Sequence, residues 1–335
     1  MEQKTMQAAW YEKQGSAQDV IVYGDMPVPN PGAGEVRVKI HASAVNPSDT
    51  KSRSGWGGIQ KQFERVIPHN DGAGVIDSVG EGVPSSRIGE RVWIYEAGRG
   101  RPFGTAAEFV VVPSDLAVPL PDNTDFAAGA CLGVPVMTAH RCVFADGSVK
   151  GQTILVTGGA GAVGYYAIQL AKWGGARVIT TVSRDQQAEL VQAAGVDQMI
   201  NYKQEDVVKR IQEITGVERG IDRIVDVNFT ANLPITDAVL RPNSAIASYS
   251  SGNPDDRPAL PFLSMQLNNV TIRLVLVYTM PKQAKLAAIN DINAALEAGA
   301  LHHNIAQRFS LNQVAAAHEA QEGGEMIGKA IVEIF

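Results

Sequence analysis

The sequence predicts an α/β fold in two parts, a β-barrel-like domain and a doubly wound parallel sheet. Short β-forming runs separated by Pro/Gly turns fill the first third of the chain. Strands and helices then alternate, and at residues 154–164 an apolar strand runs through a glycine-rich turn into a helix. At 335 residues the chain exceeds what one hydrophobic core usually serves, so two domains are expected. We place residues 1–126 and 271–335 in the first and 127–270 in the second.

In the first part Gln7 to Tyr11, Val36 to Ala42, Gly74 to Val79, Arg91 to Ile94 and Ala107 to Val112 read as strands. Pro29-Asn30-Pro31-Gly32 and Gly80-Glu81-Gly82 punctuate them. The pattern changes after Asn123-Thr124-Asp125. Phe126 to Phe144 reads as a helix, Thr153 to Thr157 as a strand, and the helix after the glycine-rich turn is followed by a strand over Arg177 to Val182 and a helix over Gln186 to Ala194. Met199-Ile200, Arg223 to Val227 and Ala245 to Tyr249 continue the strands, with helices over Glu205 to Thr215 and Leu233 to Leu240 between them. Ile272 to Tyr278 adds a strand, Lys282 to Glu297 and Leu311 to Glu322 add helices, and Ala330 to Phe335 closes the chain as a strand. This order returns the tail to the first domain and predicts a cleft between the two.

The run Leu155-Val156-Thr157-Gly158-Gly159-Ala160-Gly161-Ala162-Val163-Gly164 carries the most chemistry. Glycines at 158, 161 and 164 permit a tight turn, let amide N–H groups approach a pyrophosphate and pack the helix close to the strand. The helix N-terminus adds partial positive charge. Such a glycine pattern alone is weak evidence. Here β-formers precede it, and Val163, Tyr166, Ala167, Leu170 and Ala171 follow at one-face helical spacing before Gly174-Gly175 ends the helix. A dinucleotide site is expected. NAD sites usually carry an acidic residue where the second strand ends, whereas this chain has Thr181-Val182-Ser183-Arg184. A hydroxyl and a guanidinium suit a 2′-phosphate, which favours NADPH. Asp185 is the competing partner for Arg184, in an ordinary surface ion pair.

A net charge of −6 and the absence of any Lys/Arg-rich run argue against a nucleic-acid partner. No apolar stretch reaches membrane-spanning length and the N-terminus lacks an apolar leader, so a cytoplasmic protein without a membrane partner is expected. Two cysteines, Cys131 and Cys142, are too few for a disulfide framework or a four-cysteine zinc lobe.

The chain resembles the medium-chain dehydrogenase/reductase superfamily, in particular its zinc-independent, zeta-crystallin-like quinone oxidoreductases. The carriers are Ala44-Val45-Asn46-Pro47-Ser48-Asp49, Asp71-Gly72-Ala73-Gly74-Val75-Ile76, Gly89-Glu90-Arg91-Val92, Gly104-Thr105-Ala106-Ala107-Glu108-Phe109, Gly133-Val134-Pro135-Val136-Met137-Thr138-Ala139, the 156–164 turn and Gly328-Lys329-Ala330. The resemblance implies a GroES-like catalytic barrel plus a Rossmann domain. It also implies NADPH-dependent hydride transfer to quinones, with enone or enoyl-thioester reduction and a non-catalytic NADPH-binding role as alternatives. At the positions where zinc-dependent relatives hold the catalytic metal stand Asn46, Asn70 and Val134, none of them a usual zinc ligand, so no metal is expected.

By the same resemblance, Ala160, Gly161, Ala162 and Val163 would hold the pyrophosphate, and Ser183, Arg184 and Tyr202 would flank the 2′-phosphate with Lys329 near it. Asn232, Tyr249, Ser250, Ser251, Leu274, Val275 and Leu276 would line the rest of the cofactor, and Asn46 and Thr138 would sit close to the nicotinamide. Asn46, Asp49, Lys51, Trp56 and Asn70 are the expected substrate residues, with Asn46 and Lys51 the candidate catalytic groups. Lys51 departs from the family, which commonly has a tyrosine there; an oxyanion donor, an anion-binding group and a solvated surface charge are all compatible with it. A homodimer or homotetramer is expected, joined through the apolar strand Val270 to Tyr278.

Overall fold

The computed structural model describes residues 4–250 and 252–335. They form two compact units, one of residues up to Val134 with His303–Phe335, the other within Pro135–His302.

The first unit opens with β1 (Thr5–Trp10), α1 (Ala17–Val20), β2 (Val22–Pro27), β3 (Glu35–Ala44), α2 (Pro47–Ser54), β4 (Asp71–Val79), β5 (Arg91–Ile94), β6 (Phe109–Pro113), β7 (Ala117–Pro119) and α3 (Phe126–Gly129). Along β3 every second residue points inward, so Val36, Val38 and Ile40 meet Ile76, Val92, Ile94, Val110 and Val112 in one apolar core.

The second unit holds α4 (Met137–Phe144), β8 (Thr153–Val156), α5 (Ala162–Trp173), β9 (Arg177–Val182), α6 (Asp185–Ala193), β10 (Gln198–Asn201), α7 (Val207–Thr215), β11 (Ile221–Asp226), α8 (Phe229–Val239), β12 (Leu240–Ser248), α9 (Phe262–Leu267), β13 (Thr271–Leu274) and α10 (Lys282–Glu297). Its strands are parallel in the order β10-β9-β8-β11-β12-β13. The order reverses between β8 and β11, and in open α/β sheets ligands bind beyond the carboxyl ends of strands at such a reversal. The chain returns to the first unit with β14 (Ile305–Ser310), α11 (Val314–Glu322) and β15 (Lys329–Glu333), giving the sheet order β14-β15-β3-β4-β5-β7 with β6 also on β3.

Three expectations change. Phe126 to Phe144 is not one helix: α3 and α4 flank a π-helical turn, Leu132–Val136, that contains Pro135, whose missing N–H cannot continue a regular ladder. Residues 271–302 belong with the parallel sheet rather than the barrel, because β13 pairs with β12 from Ala245↔Thr271 to Ser248↔Leu274. That strand ends at Leu274, and Val277–Thr279 is a short 3-10 turn.

Candidate functional site

At the end of β8 the backbone turns through Gly158, and the Gly161 amide donates to the Gly158 carbonyl at 3.0 Å before α5 begins. A Cβ on Gly164 would lie 2.5 Å from that same carbonyl oxygen, so α5 crosses the turn at a distance only glycine permits. Ala160 and the N-cap Gly161 therefore lead directly into α5, whose first two residues are Ala162 and Val163, the geometry an anionic diphosphate needs.

Beside it, β9 and β10 end together. Asn201 pairs with Val182, and the Tyr202 amide donates to the Val182 carbonyl at 3.1 Å, which brings Tyr202 to Ser183 and Arg184. Ser183 is tied to Gln187 through its amide and hydroxyl. Arg184 is exposed and, among the described residues, pairs with no carboxylate, Asp185 included. Tyr202 is 48% exposed, with the Lys203 ammonium 5.4 Å from its ring centroid. Sequence reasoning missed Lys203; a second cation next to Tyr202 was its signal.

Past β11, the buried Asp226 organises the next loop. Its Oδ1 accepts from the Asn232 amide at 2.8 Å, the Asn228 backbone at 2.8 Å and the Thr157 hydroxyl at 3.0 Å, while Oδ2 is buried with no partner. Asn232 is thus held by a residue that the sequence reading did not single out. The Tyr249 amide donates to the Asp226 carbonyl, and burial raises the Tyr249 hydroxyl well above its ordinary range. Ser250 is exposed and Ser251 lies outside the described residues. Val275 is buried and bonds to the Ser248 carbonyl at 2.7 Å, whereas Leu274 and Leu276 face outward. Thr138 is buried on α4.

In the first unit Asn46 caps α2 and is the hub of a buried polar cluster. Its Oδ1 accepts from the Lys329 ammonium at 2.5 Å, its Nδ2 donates to Asp71 Oδ2 at 2.8 Å, and its backbone amide donates to Asp49 Oδ2 at 2.8 Å. Asn70 Nδ2 donates to Asp49 Oδ1 at 2.8 Å, and the Val134 amide donates to Asp71 Oδ2 at 2.8 Å. Asp71 Oδ1 and Asn70 Oδ1 are buried without partners. Burial pushes the Asp71 carboxyl up to about 7 and the Asp49 carboxyl up to about 6, against the opposing Lys329 charge and their hydrogen bonds. Burial also lowers Lys329, against the pull of Asp71.

Lys329, expected near the 2′-phosphate, has its ammonium committed within the Asn46 cluster. Lys329 opens β15, is 2% exposed, and spends its ammonium on Asn46 Oδ1 and, at 2.7 Å, the Val45 carbonyl. Asp71 was likewise missed, although a carboxylate at the head of the small and apolar run Gly72-Ala73-Gly74-Val75-Ile76 was its signal. Alongside the cluster runs a second buried chain: His318 Nε2 to His69 Nε2 at 3.0 Å, His69 Nδ1 to Ser43 Oγ at 2.8 Å, and Ser43 Oγ to Thr105 Oγ1 at 2.7 Å. Burial holds both imidazoles below their usual range, His318 at about 3. Farther along α2, Lys51 is half-buried with its ammonium 3.9 Å from the Trp56 ring centroid.

Known proteins match this arrangement. Residues 32–122 match the alcohol dehydrogenase GroES-like domain and 162–295 the zinc-binding dehydrogenase family. A quinone oxidoreductase of Rattus norvegicus is 29% identical over 338 residues, covering 98% of each chain. The chain belongs to the medium-chain dehydrogenase/reductase superfamily. It is similar along nearly its whole length to quinone oxidoreductases. It is also similar, at 29% identity over 332 residues and 97% of its length, to 98% of a 2-haloacrylate reductase of Burkholderia. A mycobacterial protein solved in complex with NADPH superposes with a TM-score of 0.83 at 26% identity, over 98% of this chain and 99% of that one.

Proposed function

We propose that this protein is an NADPH-dependent, zinc-independent reductase of quinones and related conjugated carbonyls. The observation that carries the reading is the Asn46 amide, fixed between Lys329 and Asp71 where zinc-dependent relatives hold their metal. Carboxamides are poor zinc ligands, and both Asp49 oxygens are already engaged by Asn46 and Asn70. The zinc-binding dehydrogenase match spans 162–295 and includes none of Asn46, Asn70 and Val134.

The glycine cradle at 158–164 suits a diphosphate, and the unpaired Arg184 with Ser183, Tyr202 and Lys203 suits a 2′-phosphate. When bound, the reduced nicotinamide supplies a hydride. Asn46 Nδ2 has a second hydrogen beyond the one given to Asp71, and it serves as donor to the acceptor oxygen as negative charge develops there. A quinone needs no stronger acid, because its reduced form is aromatic and its charge delocalised. The 2-haloacrylate reductase relative favours conjugated carbonyls as a second acceptor class.

The test is oxidation of NADPH and of NADH by chelator-treated protein with ortho- and para-quinones and a short enone. Chelator-resistant turnover that prefers NADPH is the expected result. Loss of activity on chelation refutes the metal-free reading, and tight NADPH binding without turnover of any acceptor favours a binding role.

The reading extends to a homo-oligomer joined through the edge of the parallel sheet. β13 is the last strand of that sheet, and Leu274 on it is 76% exposed, as is Leu267 on α9, with Phe262 at 68%. Leu274→Asp is expected to shift the protein to monomer on a sizing column. Cys131 and Cys142 are buried free thiols, which accords with a cytoplasmic setting. Among the described residues no helix is long and apolar enough to cross a membrane.

A further inference from the structure

Lys51 and Trp56 have no part in the reading above, and their geometry is specific. Lys51 lies two residues beyond Asp49 on α2. Its carbonyl accepts from the Gly55 amide, and Gly55 takes φ 77, a left-handed conformation that ends the helix and turns the chain back. Gln14 Nε2 then clamps the turn from both sides, donating to the Ser52 carbonyl at 2.8 Å and the Ile59 carbonyl at 2.9 Å. The loop so fixed sets the Trp56 ring 3.9 Å from the Lys51 ammonium. The indole face is that ammonium's partner; among the described residues no carboxylate pairs with it. Burial alone lowers Lys51, with no opposite charge to offset it. A half-buried ammonium stacked on an aromatic face keeps free N–H donors and lacks an anion.

We propose that Lys51, positioned by Trp56, is a specificity-determining residue that binds the carboxylate of an anionic conjugated acceptor. The proposal rests on the reductase reading and narrows it to acceptors that carry an acid group. The 2-haloacrylate reductase relative acts, by its name, on an acceptor of this class. For a conjugated acid the reaction balances simply. Hydride adds at the β-carbon, the alkene pair moves to the α-carbon, a proton from solvent completes the saturated acid, and the reduced nicotinamide is oxidised by two electrons with no group leaving.

The experiment compares para-naphthoquinone with its 2-carboxylate, and competitive inhibition by naphthoate with that by naphthamide, in the wild type, Lys51→Met, Lys51→Arg and Trp56→Leu. The expected result is that Lys51→Met lowers the carboxylate-to-neutral ratio of kcat/KM about 10-fold, mainly through KM, and weakens naphthoate relative to naphthamide by the same factor. Lys51→Arg restores most of the ratio, and Trp56→Leu lowers it by a smaller factor. Equal effects on the charged and neutral members of each pair overturn the proposal and assign Lys51 to the cofactor or the fold. If neither quinone is reduced, the reductase reading fails; the naphthoate-to-naphthamide ratio then still decides whether Lys51 recognises a carboxylate.

Discussion

Around Asn46 the polar groups are buried and bonded to one another, whereas at the end of β9 they stand in solvent with Arg184 unpaired. Asp71 is 0% and Lys329 2% exposed, while Arg184 and Tyr202 are open. Each region gets its order from a different source. The Asn46 cluster is assembled by folding, because charges removed from water must be matched by the chain itself. The β9 corner keeps its cation free, and on the proposed reading its order comes from the 2′-phosphate that binds it. Substitutions in the first region should register in stability, and those in the second in ligand affinity.

Lys329→Met should have the largest effect. It leaves Asp49 and Asp71 buried with no cation and removes the donor to Asn46 Oδ1, so a loss of about 3–5 kcal/mol in urea unfolding is expected. Adding Asp71→Asn should recover part of it, since the two residues share one network. A loss below about 1 kcal/mol would show that the cluster is not a matched set.

The same cluster predicts a pH dependence of unusual sign. Folded Asp71 keeps its proton to about 7, while the unfolded carboxyl releases it near 3.9. Between those values the folded chain binds more protons, so Asp71 favours folding less as pH rises, by about 1.4 kcal/mol per pH unit at the steepest. Asp49 acts likewise up to about 6. His69 and His318 act in the opposite sense: held neutral by burial, they cost stability as pH falls below about 6.5, where the unfolded imidazoles take up protons. The two senses oppose each other between about pH 4 and 6.5, so the stability of Asp71→Asn should rise with pH more steeply than that of the wild type across that range. Parallel profiles for the two proteins would place the proton elsewhere.

How legible each region was follows from the range of its contacts. The turn at 158–164 is local, so its glycines, the strand before them and the helix after them could be read together. Ser183 and Arg184 were legible for the same reason, and Tyr202 joined them through a parallel pairing that follows from β-α-β order. The place of Lys329 in the Asn46 cluster was not legible because its partners, Val45 and Asn46, lie some 280 positions away, brought to it by β15 pairing with β3 at Ile331↔Ala44. Asp226 escaped notice because its three donors come from the turn after β8, the cap of α8 and the first turn of α8 itself. Residues 271–302 were assigned to the wrong unit because an apolar β-former run looks alike at the edge of either sheet, and only the pairing of β13 with β12 decides.

In the second region, Arg184→Ala should leave unfolding free energy within about 0.5 kcal/mol of wild type, as surface substitutions generally do. It should weaken NADP+ binding about 10- to 30-fold while changing NAD+ binding little, as expected for one guanidinium–phosphate interaction. Titration of both nucleotides by calorimetry measures the ratio. An equal loss for both would remove the 2′-phosphate from the account of this corner.

The smallest effect should come from Lys203→Ala. The Lys203 ammonium is exposed and sits 5.4 Å from the Tyr202 ring, so it contributes to any phosphate at this corner through a screened charge rather than a fixed bond. A loss of about threefold in NADP+ affinity at low salt is expected, disappearing near 0.5 M salt where the Debye length falls to about 4 Å. The Arg184 effect should survive the same salt in part, because a planar fork bonded to phosphate oxygens depends on contact as well as charge. If salt erased both effects equally, the corner would be a diffuse positive patch and Arg184 would lose its special place in it.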